Sequence, residues 1–163
     1  MKIACYPGSF DPITNGHVNM VKRALKIFDK IYIIVANNIE KKYYFSLDKR
    51  VEIAKATFKD DPKIEVVKGE GLSVIQARKL GCKSIIRGLR MVSDYEYEVQ
   101  YASINEYLAP DIDMIFLMSR KEYSFISSSR IKEMYSYGTD ISSLVPAPVM
   151  RAFEAKEKEK ATK

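Results

Sequence analysis

Two cysteines in 163 residues, Cys5 and Cys82, are too few and too far apart for a disulfide framework or a thiolate metal cluster. No apolar run approaches the roughly 18–20 residues that cross a bilayer, and the longest clean one, Ile31–Ala36, has the length of a strand. No linker, low-complexity segment or internal repeat interrupts the chain. The opening residues Lys2-Ile3-Ala4-Cys5 run straight into Tyr6-Pro7-Gly8 and leave no room for a hydrophobic targeting segment. The expectation is a cytoplasmic protein, without membrane attachment, folding as one domain over residues 1–163. Histidine is scarcer still: His17 is the only one.

What remains is an ordinary globular composition, 47% hydrophobic and 29% charged, which excludes whole-chain disorder and fibrous repeats. The net charge is +6. Such a balance suits nucleic acid, an anionic membrane or small phosphorylated substrates, and the placement of the basic residues decides among them. Part of the excess lies in Arg151–Lys163, where Lys and Glu alternate, a pattern expected of a solvated helix end and frayed tail.

Short β-like runs alternate with helical stripes. Strands are expected at Lys2–Tyr6, Lys30–Ala36, Lys63–Val67, Ser84–Arg87 and Asp113–Met118. Between them, Val18, Val21, Leu25 and Phe28 recur at helical spacing, as do Leu47, Val51, Ala54 and Phe58. A shorter helix is expected over Leu72–Leu80, closed by Gly81, and another over Ser127–Tyr137, stopped by Gly138. Ser93 and Glu96 have the spacing of a capping box opening a long helix to about Leu108, with Tyr97, Tyr101, Ile104 and Leu108 on one stripe. Pro146 and Pro148 are expected to separate the core from a last helix. Strand and helix alternating five times specify an α/β fold, a doubly wound five-stranded parallel sheet with helices on both faces.

Such sheets bind ligands beyond the carboxyl ends of their strands. The first strand-to-helix turn, Tyr6 to His17, carries Gly8 and Gly16, capping residues Thr14 and Asn15, and His17 in the first helical turn. Free N–H groups and the helix dipole make this an anion site, and the same dipole favours a neutral imidazole that donates a hydrogen bond over a cation. The turn has neither dinucleotide-fingerprint nor Walker A spacing. The second turn, Asn37–Phe45, offers Lys41 and Lys42 to a phosphate, although a Lys-Lys pair is by default a solvated loop. Arg87-Gly88-Leu89-Arg90 places two guanidiniums around a glycine, able to grip phosphate oxygens, with a salt bridge as the plainer reading. Tyr123–Ser129 brings hydroxyls and amides to a further helix mouth; capping accounts for Ser127 but not for three successive serines. Asp94, Glu96 and Glu98 read, on spacing alone, as an exposed acidic face.

Two of these segments together resemble the signatures of the HxGH nucleotidyltransferase superfamily, which is related to class I aminoacyl-tRNA synthetases. They are Gly8-Ser9-Phe10-Asp11 with Thr14-Asn15-Gly16-His17, and Ile126-Ser127-Ser128-Ser129-Arg130-Ile131-Lys132. With Tyr6-Pro7, Ile86-Arg87-Gly88-Leu89-Arg90 and Glu122-Tyr123-Ser124-Phe125 added, the chain from Lys2 to about Pro146 resembles the phosphopantetheine adenylyltransferase family. It departs from the commoner pattern at Ser9, where Thr is usual, and at Thr14, where relatives outside this subgroup carry His; both retain hydrogen-bonding capacity.

The resemblance implies a Rossmann-like nucleotidyltransferase fold and transfer of AMP from ATP, with Mg²⁺, to 4′-phosphopantetheine, giving dephospho-coenzyme A and pyrophosphate. It implies His17, Lys41 and Arg90 as the catalytic residues. It assigns ATP to Ser9, Phe10, His17, Gly88, Leu89, Arg90, Glu98 and the run Tyr123, Ser124, Phe125, Ile126, Ser127, Ser128, Ser129. The acceptor falls to Ser9, Lys41, Ser73 and Arg87, with Leu72 beside Ser73 in the glycine-rich third turn, and no dedicated protein metal site is implied. A homo-hexamer and feedback by coenzyme A are further family properties. Because the attacking group is already an anion, the reaction needs two polyanions held in line and charge stabilisation, not a strong general base. Another HxGH nucleotidyltransferase, acting on nicotinamide mononucleotide or a glycerol phosphate, is the alternative within the class. A nucleic-acid-binding module is the alternative outside it, disfavoured because the basic residues scatter among turns with no basic helix stripe and no aromatic RNA-binding signature.

Overall fold

A computed structural model describes residues 1–162. Its single sheet contains β1 (Ile3–Gly8), β2 (Lys30–Val35), β3 (Ile64–Lys68), β4 (Ser84–Leu89) and β5 (Asp113–Met118) in the order β3-β2-β1-β4-β5, and every pairing is parallel. The helices are α1 (Asn15–Ala24), α2 (Leu47–Phe58), α3 (Ser73–Lys79), α4 (Val92–Leu108), α5 (Ser128–Ser136) and α6 (Ala147–Ala161), with a short 3₁₀ turn at Lys121–Tyr123. Among the described residues no helix is long and apolar enough to cross a membrane.

The strand order explains the two-sided core. From β1 the chain winds outward through α1, β2, α2 and β3; it then returns past β1 to lay down β4 and β5 on the other side. Right-handed crossovers in opposite directions put their helices on opposite faces. One face therefore carries α1, α2, α5 and α6 around Val21, Ile33, Ile131 and Phe153, and the other carries α3 and the end of α4 around Ile34, Val74, Ile85 and Ala109. β2 is buried almost throughout, as its apolar run Ile31–Val35 requires.

β1 ends at Gly8, two residues beyond the expected Tyr6, and local chemistry departs further from the sequence expectation in four places. β4 runs two residues further than expected, so Arg87, Gly88 and Leu89 pair with Phe116, Leu117 and Met118 and only Arg90 stands in the turn. The long helix is not opened by Ser93 and Glu96: it begins at Val92, and the Asp94 carboxylate accepts from the N–H groups of Arg90 (2.9 Å) and Met91 (3.3 Å), which leaves Ser93 inside the first turn. α4 is also rotated. Its docked stripe holds Glu98, Tyr101, Asn105 and Leu108, while Tyr97, Ile104 and Tyr107 are exposed. The pairing of Glu98 with Arg87, described below, sets that rotation.

The fourth departure is at the C-terminal end. Pro146 is the N-cap of α6 and Pro148 sits in its first turn, where a missing N–H costs nothing. From there Val149, Ala152 and Phe153 enter the core, so the stretch from Arg151 is not a frayed tail; Lys163 lies outside the described residues. Phe153 packs against Tyr135, Tyr44 and Phe45 at ring-centroid distances of 4.3, 5.2 and 5.2 Å. Phe153→Ala is expected to lower the unfolding free energy by about 3–5 kcal/mol, the range for deleting a buried ring. Denaturant unfolding checks it; a loss under about 1 kcal/mol would place the α6 contact outside the cooperative core.

Candidate active site

The winding reverses between β1 and β4, and above their carboxyl ends lies an open cavity of about 300 Å³. Three segments make most of its wall, the end of β1 with the following turn and α1, the end of β4 with the start of α4, and the mouth of α5, with Ser119 after β5 beside them. This is the crevice that a doubly wound sheet reserves for ligands.

The first wall depends on a backbone turn that few residue types tolerate. Phe10 adopts φ 46°, in the left-handed region where a residue with a Cβ is disfavoured. Its ring is buried between Tyr6 and His17, edge-on to both at 5.5 and 5.1 Å, and this packing holds the conformation in place. Gly8 has to be small here, because a Cβ would sit 3.0 Å from the Phe10 ring.

α1 is capped reciprocally. Thr14 Oγ1 accepts from the His17 backbone N–H at 3.4 Å, and His17 Nδ1 accepts from the Thr14 backbone N–H at 3.0 Å. Because Nδ1 is the acceptor, the proton of a neutral imidazole is on Nε2, leaving a donor free on the cavity wall. Desolvation of the ring, followed by the positive charges of Arg90 and Arg87, lowers the His17 pKa from 6.5 to about 4. His17 is therefore a neutral hydrogen-bond donor at physiological pH, as the helix dipole at this position suggests. Desolvation likewise pushes the Tyr6 phenol up to about 12, so it stays protonated at the cavity's edge.

The second wall is an ion pair. Arg87 Nε and Nη2 donate to the two Glu98 oxygens at 2.8 and 2.7 Å, and Nη1 donates to the Pro7 carbonyl at 3.1 Å. The Tyr101 ring covers the guanidinium at 4.9 Å. Glu98 is thus buried against Arg87, not part of an exposed acidic face. Arg90 lies across the cavity mouth, its Nη1 donating to the Ile126 carbonyl at 3.2 Å and its Nε 3.5 Å from Asp94. Gly88 faces Met20, whose methyl carbon would lie 3.0 Å from an added Cβ.

The third wall is the α5 mouth. Ser127 is the N-cap and accepts from Arg130 N–H at 3.2 Å, while Ser128 Oγ donates to the Pro12 carbonyl at 2.7 Å and ties this mouth to the first turn. Tyr123 and Ile126 complete the wall.

Of the residues singled out in the sequence, Ser9, Phe10, His17, Arg87, Gly88, Arg90, Glu98, Tyr123, Ile126, Ser127 and Ser128 line this cavity. Leu89, Ser124, Phe125 and Ser129 flank it without lining it; Phe125 and Ser129 are exposed. Lys41 is exposed in the loop after β2, and Ser73 opens α3 after β3, so both stand on the same sheet edge but away from the β1–β4 crevice. Sequence reasoning missed Met20, Asp94 and Ser119 on the cavity wall. Of these only Asp94 carried a signal, being an acidic residue four positions after Arg90.

Among the described residues no cluster of three or more His, Cys, Asp or Glu side chains could hold a metal ion. The two carboxylates on the cavity wall are already engaged, Glu98 by Arg87 and Asp94 by the Arg90 and Met91 amides.

Comparisons with known proteins identify the family. Residues 5–134 match the cytidylyltransferase-like family. The chain is 49% identical over 160 residues to the phosphopantetheine adenylyltransferase of Petrotoga mobilis, covering 98% of this chain and 96% of that one. It is 50% identical over 148 residues to that of Nautilia profundicola, covering 91% and 96%. Against that of Desulforudis audaxviator it is 45% identical over 156 residues, covering 96% of each.

Two outcomes are expected here. With one histidine in the chain, an NMR titration of the imidazole C2–H reads His17 without assignment, and its midpoint is expected near 4, well below 6.5. The folded state binds fewer protons than the unfolded chain between those values. This contribution to stability is therefore complete above about 6.5 and is lost as pH falls through about 4. A midpoint at 6 or above would mean that the ring is hydrated. Separately, Glu98→Ala leaves the half-buried Arg87 without its partner and is expected to cost about 3 kcal/mol, the low end for breaking such a pair, lowering the thermal midpoint by roughly 10 °C in a calorimetric scan.

Proposed function

The chain belongs to the phosphopantetheine adenylyltransferases, nucleotidyltransferases within the cytidylyltransferase-like family, and on that premise we propose that it transfers AMP from ATP to 4′-phosphopantetheine. An oxygen of the acceptor's phosphate attacks the α-phosphorus of ATP. The bond from that phosphorus to the bridging oxygen of the β-phosphate breaks, and dephospho-coenzyme A and pyrophosphate are released.

The observation that carries the reading is the neutral His17, with Nε2–H free on the wall of a cavity that two helix mouths and two arginines also line. A neutral donor bonds a phosphate oxygen without locking it in a ground-state ion pair, so the bond strengthens as charge builds on the α-phosphate. Arg90 stands opposite, where it neutralises the triphosphate. The α5 mouth with Ser127 and Ser128 offers amides and hydroxyls to the β- and γ-phosphates. Mg²⁺ travels with ATP as part of the substrate and shares the charge of the departing pyrophosphate. Lys41, on the loop beyond β2, receives the acceptor's phosphate, with Ser9 and Arg87 meeting the acceptor from the crevice wall and Ser73 along its arm. No group has to remove a proton, in keeping with a Tyr6 phenol held protonated and a histidine engaged at Nδ1.

The same family reading makes the working unit a homo-hexamer. The apolar face that α4 turns to solvent, with Tyr97, Ile104 and Tyr107, supports an assembled state.

Pyrophosphate release is the test. With MgATP it is expected to depend on 4′-phosphopantetheine and to vanish with CTP as donor or nicotinamide mononucleotide as acceptor. Activity with either control instead would keep the fold and move the substrate. His17→Ala is expected to lower kcat by about 10²–10³-fold, the range for losing one transition-state donor, while changing the affinity for ATP only a few-fold. Equal losses in both would make His17 a ground-state contact.

A further inference from the structure

Arg50 of α2 heads the largest fully buried side chains of the described chain, only 1% exposed. A buried cation is expensive unless its donors are met, and here no carboxylate forms a salt bridge with it among the described residues. Carbonyl oxygens take that place. Nε donates to Phe45 O at 3.2 Å, Nη1 to Ser9 O and Ala36 O at 2.7 Å each, and Nη2 to Asn37 Oδ1 at 2.8 Å. The Tyr43 ring covers the guanidinium at 3.8 Å. Four of the five N–H bonds of the fork are spoken for, by acceptors from three separate stretches of chain.

Those stretches have a common meaning. Ser9 lines the cavity; Ala36 and Asn37 are the first residues after β2; Phe45 closes the loop that begins there. The closing end is gripped a second time. The buried Asp11 carboxylate accepts from Tyr44 N–H at 2.7 Å and Phe45 N–H at 2.9 Å, with Lys132 Nζ at 3.3 Å. Within the loop, Asn38 N–H donates to Tyr43 Oη at 2.7 Å and Lys41 N–H to Asn38 O at 3.1 Å. Residues 37–45 are therefore anchored at both ends, with exposed Lys41 and Lys42 at the crown.

We propose that Arg50 is a positioning residue for the acceptor half of the site: its guanidinium fixes the spacing between the Ser9 turn and the 37–45 loop, and so holds Lys41 where the acceptor's phosphomonoester arrives. The inference rests on the reading that Lys41 receives that phosphate. ATP, lodged between β1, β4 and α5, meets the Ser9 turn but makes no demand on the loop, so disturbance of Arg50 falls mainly on the acceptor. The fork carries the effect, not the charge, because an ammonium cannot reach four acceptors held in one plane around it.

The test is steady-state kinetics of the full-length protein with both substrates varied, on Arg50→Lys and on Asn37→Ala. The first keeps the charge and loses the fork; the second removes one acceptor from an exposed position and leaves the core intact. Arg50→Lys is expected to raise the KM for the acceptor by about tenfold or more while the KM for ATP stays within about twofold, a split that simple loss of folded protein does not produce. Asn37→Ala is expected to move the same constant in the same direction by a smaller factor, and it decides alone if Arg50→Lys does not fold. Both KM values rising together, or neither changing in Asn37→Ala and folded Arg50→Lys protein, would overturn the assignment of Arg50 while wild-type turnover leaves the reaction standing. Failure of the wild-type protein to turn over ATP with 4′-phosphopantetheine would bring down the reaction and this assignment together.

Discussion

Everything in this structure follows from the reversal of winding between β1 and β4. A parallel sheet must carry its connections on its faces, and when two neighbouring strands send theirs to opposite faces the space above their carboxyl ends stays open. Here that space receives a tight turn from β1, an arginine from the last residues of β4 and, from far along the chain, the amino end of α5. The strain in the Phe10 backbone, the reciprocal cap on α1 and the hydroxyl bridge from Ser128 to Pro12 are all ways of lining one crevice with donors.

The electrostatics of that crevice are restrained. Arg87 is held by Glu98, Arg90 is tethered to Ile126 and Asp94, and His17 carries no charge. Each donor has a set direction before a ligand arrives, and little reorganisation is left for the moment of reaction. A looser cluster of lysines would attract polyphosphates as strongly in dilute salt, but it would have to find its geometry anew each time.

The five strands, their parallel order of winding and the turns that bear the site were legible in the sequence, because β-branched runs and glycine-bearing turns report backbone geometry directly. The place of His17 at a helix mouth was legible for the same reason, although a lone histidine in a glycine-bearing loop reads as readily as a surface residue. Partnerships between distant charges were not. Glu98 looks like a surface residue, and Arg87 like a free phosphate grip, until β4 and α4 are set side by side, and the stripe of Tyr97 and Ile104 matches the helical period as well as the face that docks. Arg50 follows Asp48 and Lys49, off the apolar stripe of Leu47, Val51, Ala54 and Phe58, and nothing local marks it as the one of the three that turns inward. Periodicity finds the apolar stripe of a helix; it is blind to a polar group buried because the backbone around it needs donors.

The last helix has a consequence in time. Phe153 packs on Tyr44 and Phe45, and Lys156 Nζ donates to the Tyr44 carbonyl, so the base of the loop that follows β2 is closed by residues made more than a hundred positions later. During synthesis the nascent chain can pair its first strands early, yet the segment between β2 and α2 has no lid until α6 has cleared the ribosome. The half of the crevice nearest β4 can form from residues up to α5, whereas the other half waits for nearly the whole polypeptide. Release after α5 but before α6 would thus yield a sheet with its helices and one competent wall, but with the aromatic cluster beneath the opposite loop bare and open to self-association.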